Sequence, residues 1–408
     1  MRPALVVIGL NHRMAPLAVR ERFWMNAERR SEALATLSQA EAIEEVFVFS
    51  TCQRTEFVVW GDPTLAINSV LRFLSAKYDL KLSEWNSFYR LLDESALAHA
   101  FRVSCGLDSM SIGEGQIGQQ AKAAWEQARS SGSTGPYLNA VLRKALAVRR
   151  RVLKETAVGS QFMSAPQAAV AVAQDILVSW AARNIVVLGA GRMGEVAAQA
   201  LVDRGANAVC VISRTDSRAA ELASRRGIEW DAYGQRQRRL QAADLVISAV
   251  SGSKVLLSAA EIAQIAERRP ERRLVLIDLA MPRSIDPAVR KIAGVVLYDL
   301  DDLDRAVRPP AAAPESEVEA QRIVLEEMQA FRRELVALDT SPEIMTLRHR
   351  LDEICREELE LFRQERGPFS KEQDRLLAAV SSRITHRIAG SLARELMLPE
   401  SAQMKAAV

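Results

Sequence analysis

The sequence predicts a multidomain α/β protein: a small N-terminal α/β domain, a long connecting helix, a doubly wound parallel-sheet domain and an all-α C-terminal domain. Three observations carry that reading. Strand-like apolar runs at 4–10, 45–50 and 56–60 alternate with helical periodicity at 17–40 and 64–78. A second series of short apolar runs, at 185–188, 208–213, 244–250, 274–279 and 295–299, is separated by helical segments, as in a parallel sheet covered on both faces. From residue 315 onward the chain is charged, heptad-like and helical.

A chain of 408 residues is too long for one hydrophobic core, because domains hold roughly 100–200 residues each. We place the domains at 1–158, 183–305 and 315–408, joined first by a connecting spinal helix at 159–182. Between 92 and 180 the periodicity is helical, with turns expected at Gly106, Gly113 and the Ser-Gly-Ser-Thr-Gly-Pro stretch at 131–136. The connecting helix is read from the alanine-rich stretch that begins near Pro166, and the Pro-Pro-Ala-Ala-Ala-Pro stretch at 309–314 reads as a hinge.

Hydrophobic residues make up 49% and charged residues 26%, the balance of a folded chain rather than a disordered one. The first apolar run is too short for a membrane span or a secretory core, so no anchor or targeting segment is expected. Cys52, Cys105, Cys210 and Cys355 form no C-x-x-C pair, which argues against a disulfide framework or a metal site and for reduced thiols in a cytoplasm. A net charge of +3 does not identify a nucleic-acid binder. The local stretch Arg143, Lys144, Arg149, Arg150, Arg151, Lys154 is either a landing place for phosphates or a solvated helix face. Leucines at helical spacing in the tail (Leu347, Leu351, Leu359, Leu361) need a partner surface, supplied by a second copy in a homodimer or by the same chain.

The first run of the parallel series leads directly into Gly189-Ala190-Gly191-Arg192-Met193-Gly194 and a following helix. In that context Gly189 permits a tight turn, Gly191 lets a pyrophosphate approach the backbone, and Gly194 lets helix and strand pack closely. The second half is therefore expected to be a Rossmann-type dinucleotide domain. The next strand ends at Ser213-Arg214-Thr215, without the acidic residue that selects a ribose 2′-hydroxyl; Arg214 and its flanking hydroxyls suit a 2′-phosphate, which predicts NADPH.

The segment Ser50-Thr51-Cys52-Gln53-Arg54-Thr55-Glu56 places a cysteine at a strand end with an arginine two residues on. In an extended chain both side chains project to one side, and a guanidinium there favours the thiolate nucleophile. A lone cysteine in such a place is more often a small buried residue than a catalyst.

With these motifs the chain resembles glutamyl-tRNA reductase along nearly its whole length. The matching segments are Gly9-Leu10-Asn11-His12 with Ala15-Pro16, residues 50–56, Gly106-Leu107-Asp108-Ser109-Met110, Gly113-Glu114 with Gln116-Ile117, and Lys154-Glu155-Thr156. The glycine loop, Ser213-Arg214-Thr215, Leu276-Ile277-Asp278-Leu279-Ala280 with Pro282-Arg283, and Leu297-Tyr298-Asp299 with Asp301-Asp302-Leu303 complete them. The resemblance implies a glutamyl thioester on Cys52, formed from glutamyl-tRNA(Glu) and reduced with NADPH to glutamate-1-semialdehyde, the first step toward tetrapyrroles. It implies a substrate pocket of Thr51, Gln53, Arg54, Ser109, Glu114, Gly115, Gln116 and Gln120, with His99 as a proton handler or positioning group near Cys52. Within it Arg54 pairs with the glutamate side-chain carboxylate and Glu114 with its α-ammonium. His12 has a weaker claim, and His349 and His386 lie in the tail.

The resemblance further implies a homodimer, a transient complex with glutamate-1-semialdehyde aminotransferase, and a cysteine domain lying apart from the nucleotide domain until they close. Four positions depart from the family pattern: Gln53 for Asn, Gly115 for Pro, Met14 for Thr and Ser213 for Asn. Two other classes compete with a reductase: a non-catalytic paralogue binding tRNA or nucleotide, and an NADP dehydrogenase of a small carbonyl substrate.

Overall fold

Strands whose side chains are buried on both faces organise the N-terminal half. The computed structural model describes residues 3–109, 115–160, 163–180, 183–250, 252, 255–307, 315–340 and 342–395. In chain order the first elements are β1 (Ala4–Asn11), α1 (Leu17–Phe23), α2 (Ala27–Leu37), β2 (Ile43–Ser50), β3 (Arg54–Gly61), α3 (Pro63–Tyr78), β4 (Tyr89–Leu92), α4 (Asp93–Cys105), α5 (Gly115–Ser130) and α6 (Pro136–Glu155). The sheet runs β2-β3-β1-β4, and every pairing is antiparallel. Its register sets Asn11 opposite Arg54, and the His12 amide donates to the Gln53 carbonyl at 2.9 Å. The end of β1 therefore braces the bend between β2 and β3 that carries Cys52.

The second unit contains α7 (Ala165–Leu177), β5 (Ile185–Leu188), α8 (Arg192–Asp203), β6 (Val209–Ile212), α9 (Asp216–Arg226), β7 (Glu229–Asp231), α10 (Arg236–Ala242), β8 (Leu245–Ser248), α11 (Ala259–Glu267), β9 (Leu274–Asp278), β10 (Val295–Tyr298) and α12 (Leu300–Val307). All strands are parallel in the order β10-β9-β8-β5-β6-β7, the doubly wound topology expected. The two-residue period sorts the strand side chains: Ile185 and Val187 join a core with α7, α8, α9 and α12, whereas Val186 and Leu188 join one with α10 and α11. Strand order reverses between β5 and β8, which places the glycine loop at the switch point.

The remaining helices are α13 (Glu315–Thr340), α14 (Pro342–Arg366) and α15 (Lys371–Glu395). The long connecting helix of the fold is α13, not the 159–182 segment, whose described helix α7 has only 13 residues and packs within the nucleotide domain. Ala320, Ile323, Val324, Met328 and Phe331 of α13 enter the N-terminal core, and each large apolar side chain so buried contributes about 2 kcal/mol. The first part of the tail thus packs on its own chain, while Ile354, Leu361 and Phe362 of α14 and Ile384 of α15 remain exposed. The hinge expected at 309–314 lies outside the described residues.

Half of the basic stretch on α6 is already spoken for. Lys144 pairs with Glu327 at 2.9 Å, Arg151 pairs with Glu327 and Glu326, and buried Arg149 donates to the Ser104 carbonyl. Lys144 and Arg151 thus hold α13 on α6, and Arg149 ties α6 to α4. The cysteine and nucleotide domains also do not lie apart: Arg20 pairs with Asp301, Glu21 with Arg283, and Gln119 with Arg192. Among the described residues no helix is long and apolar enough to cross a membrane.

Candidate active site

Cys52 lies in the bend joining β2 to β3, closed by the Thr51 amide donating to the Arg54 carbonyl at 2.8 Å. Thr51 Oγ1 accepts from the Gln53 amide at 3.1 Å, and the Ser50 and Thr55 hydroxyls meet at 2.8 Å beneath the bend. The chain is therefore not extended through Cys52, and the expected projection of Cys52 and Arg54 from one strand face gives way to a turn. Cys52 is half-buried, and its side chain packs against the core of the nucleotide domain, as do Ala190 and Met193 of the glycine loop.

Arg54 is 1% exposed and faces inward. Its Nη1 donates to Glu56 Oε1 at 2.8 Å and its Nη2 to the Asp108 carbonyl at 2.5 Å. Arg54 and Glu56 share a strand face because they are two residues apart on β3. The same Glu56 oxygen accepts from Tyr89 Oη at 2.5 Å and lies 3.0 Å from His99 Nε2. The other ring nitrogen, His99 Nδ1, lies 3.5 Å from Asp108, whose carboxylate also accepts from Arg102 at 2.9 Å.

The charges in this cluster fix one another. Burial alone would raise the Glu56 carboxyl, but His99 and Arg54 hold it down to about 2. Burial likewise opposes a charged His99, yet Glu56 and Asp108 lift it to about 9. Asp108 is held well below the usual carboxylate range by His99 and Arg102 despite its burial, and burial beside Glu56 keeps Tyr89 a phenol. At neutral pH His99 is thus an imidazolium gripped by two carboxylates. That geometry ties His99 to Glu56, which also holds Arg54, and to Asp108 of the 106–109 turn.

Two buried polar atoms here, Arg54 Nε and Ser109 Oγ, have no hydrogen-bond partner among the described residues. A polar substrate would supply what they lack. Gln120 is exposed on α5, and its neighbour Gln119 accepts from Arg192 Nη1 at 2.7 Å, so this face of α5 meets the start of α8. Glu114 and the Gln116 side chain lie outside the described residues, and Gly115 begins α5. Sequence reading missed Arg20, Glu56, Tyr89 and Gln119. Only Glu56 left a signal, as an acid two positions from Arg54 in an otherwise apolar strand.

The glycine loop has the shape a dinucleotide needs. Gly189 has φ +105°, a conformation L side chains rarely adopt, and a Cβ there would stand 2.6 Å from the Ala249 carbonyl. A Cβ on Gly194 would stand 1.9 Å from the Gly189 carbonyl, whereas one on Gly191 would meet no atom within 4 Å. Gly191 caps α8 without a side chain, leaving backbone amides at that helix end for an anion. Arg214 and Thr215 are exposed and Ser213 is half-buried at the end of β6.

Comparisons with known proteins agree with this arrangement. Residues 8–156 match the family model for the N-terminal domain of glutamyl-tRNAGlu reductase, 171–306 that for shikimate/quinate 5-dehydrogenase, and 319–405 that for the glutamyl-tRNAGlu reductase dimerisation domain. The glutamyl-tRNA reductase of Desulfotalea psychrophila is 33% identical over 386 residues, covering 93% of this chain and 90% of that protein. The chain belongs to the glutamyl-tRNA reductase family. The Bacillus subtilis glutamyl-tRNA reductase is 32% identical over 376 residues, covering 91% of this chain and 83% of that one. The solved glutamyl-tRNA reductase of Methanopyrus kandleri is 25% identical, covering 98% of this chain and 96% of that one, with a TM-score of 0.47. In this family member the central unit is a pyridine-nucleotide-binding domain.

Proposed function

We propose that this chain reduces the glutamyl group of glutamyl-tRNA(Glu) to glutamate-1-semialdehyde with NADPH, through a thioester on Cys52. The observation that carries the reading is the packing of Cys52 on the apolar core of the nucleotide domain, the same core on which Ala190 and Met193 of the glycine loop pack. Family membership supports the substrate, and the buried unpaired atoms of Arg54 and Ser109 support a polar glutamate in this pocket.

In the proposed reaction the Cys52 thiolate attacks the ester carbonyl carbon. The C–O bond to the tRNA 3′ end then breaks, and that oxygen leaves with a proton. Sulfur delocalises weakly into the carbonyl, so the thioester is more electrophilic than the ester it replaces. Arg54, whose terminal nitrogens are taken by Glu56 and the Asp108 carbonyl, would shape the wall of the glutamyl site rather than pair with the substrate carboxylate, and Ser109 would orient the substrate. When bound, NADPH would supply hydride to the thioester carbonyl carbon, and Cys52 would leave as the thiolate, freeing the aldehyde. Gly189, Gly191 and Gly194 would hold its pyrophosphate and Ser213, Arg214 and Thr215 its 2′-phosphate. The exposed apolar residues of α14 and α15 support a homodimer, and we place the enzyme in the cytoplasm, handing its aldehyde to an aminotransferase.

The test is to incubate glutamyl-tRNA with the wild-type chain and with Cys52→Ser, each with and without NADPH. Wild type should give semialdehyde only with NADPH and slow glutamate release without it; Cys52→Ser should give neither. Semialdehyde from the serine variant at the normal rate would sink the thioester.

A further inference from the structure

Consecutive residues of α1, Arg20 and Glu21, carry opposite charges and meet partners of the opposite order on the nucleotide domain. Arg20, 1% exposed, pairs through Nη2 with Asp301 Oδ1, and Asp301 Oδ2 accepts from the Leu17 amide at 3.0 Å. Glu21 receives Arg283 in a fork, Nε at 2.9 Å and Nη2 at 2.6 Å, with the Arg283 amide adding a contact at 3.2 Å. The plus-minus order on α1 facing minus-plus across the interface admits one docking orientation. The other end of Arg20 reaches the nucleophile: its Nη1 donates to the Cys52 carbonyl at 2.8 Å.

From this we infer that Arg20 is a positioning residue that ties the Cys52 bend to the docked nucleotide domain through Asp301, with Glu21–Arg283 as the second point of a two-point latch. A buried guanidinium needs a compensating carboxylate. Asp301 belongs to the nucleotide domain, so Arg20 is fully compensated only when that domain is docked. Asp301 is itself set in place: its amide donates to Asp299 Oδ1 at 3.1 Å, and Asp299 is held by Arg290 at 2.8 Å. Arg283 follows Pro282, in a turn built on Asp278, which accepts from the Ser284 and Ile285 amides at 2.8 Å each. Both latch points therefore rise from rigid strand ends. The consequence, resting on the thioester reading, is a division of labour: acylation of Cys52 does not need the latch, whereas reduction in preference to hydrolysis does.

The experiment measures two quantities in Asp301→Asn, Glu21→Gln, Arg283→Gln and the Glu21→Gln/Arg283→Gln pair. The first is alkylation of Cys52 by iodoacetamide, followed on its peptide by mass spectrometry without tRNA or NADPH. The second is the ratio of semialdehyde to free glutamate formed from glutamyl-tRNA with NADPH. Asp301→Asn should raise alkylation and lower the product ratio, each about tenfold. Glu21→Gln and Arg283→Gln should each shift both readouts in the same direction, and the double variant should be no worse than either single one, as for one shared contact. Unchanged alkylation and an unchanged ratio in all four, with native circular dichroism, overturn the latch. A wild type that is never acylated by glutamyl-tRNA sinks the thioester reading instead, and the alkylation rates still decide the latch.

Discussion

His99 Nε2 stands 3.0 Å from Glu56 Oε1, and this pair ties α4 to the strand that carries Arg54. Its pH behaviour follows from the two shifts. Glu56 is depressed from 4.5 to about 2, so its contribution is present above pH 4.5 and lost as pH falls through 2. His99 is raised from 6.5 to about 9, so its contribution is complete below pH 6.5 and lost as pH rises through 9. Stability should plateau from pH 4.5 to 6.5 and then decline, by at most about 3 kcal/mol from this group. Urea unfolding from pH 5 to 10 checks it: His99→Gln should start lower and flatten the alkaline decline, and a variant as steep as wild type there would contradict the assignment.

Ser109 gives a sharper separation of binding from folding. Its buried hydroxyl has no partner among the described residues, so Ser109→Ala should change stability by less than about 1 kcal/mol, or raise it. The KM for glutamyl-tRNA should nevertheless rise roughly tenfold if that hydroxyl meets the glutamyl group. Steady-state kinetics beside a melting curve decide it, and an unaltered KM would remove Ser109 from the pocket.

What the sequence discloses is what is local. Strand, glycine loop and helix at 185–203 are contiguous, and their side-chain period and glycines are visible in one window. Strand β4 escaped because Tyr89–Leu92 is a half-exposed edge strand without a continuous apolar run, and β7 because Glu229–Asp231 is a three-residue edge strand with its first two residues exposed. The function of Arg20 was equally invisible: within a helical pattern nothing distinguishes a buried cation whose carboxylate lies at Asp301 from a solvated one. Lys144 and Arg151 read as free charge for the same reason, since Glu326 and Glu327 lie far along the chain. Whether the chain stays extended past the strand end at Cys52 is not legible in the sequence, because the turn depends on the Thr51–Arg54 backbone bond.

Two glycines of the nucleotide loop should fail in different ways. Alanine at Gly194 places a methyl 1.9 Å from the Gly189 carbonyl, so helix and strand must separate and the domain should lose about 2–3 kcal/mol. Alanine at Gly191 meets no atom of the chain within 4 Å, so Tm should hold to within about 2 °C. Its methyl would instead occupy the space for the pyrophosphate, weakening NADPH by roughly tenfold or more in a fluorescence titration. Tight NADPH binding by Gly191→Ala would place the phosphates elsewhere.

The proposed preference for NADPH rests on Arg214, exposed where β6 ends, at the position from which an acidic residue would take the ribose 2′-hydroxyl. A charge-assisted bond to a 2′-phosphate is worth about 1.5–3 kcal/mol, or roughly 10- to 100-fold in affinity. Arg214→Glu should weaken NADPH by at least that factor, because it replaces attraction with repulsion. NADH should bind equally well or better, since the new carboxylate can accept from its 2′-hydroxyl. Dissociation constants for both nucleotides, measured by protein fluorescence without tRNA, read the ratio directly. If both weaken together, Arg214 supports the loop rather than choosing the cofactor; if neither changes, the 2′-phosphate is read by other residues.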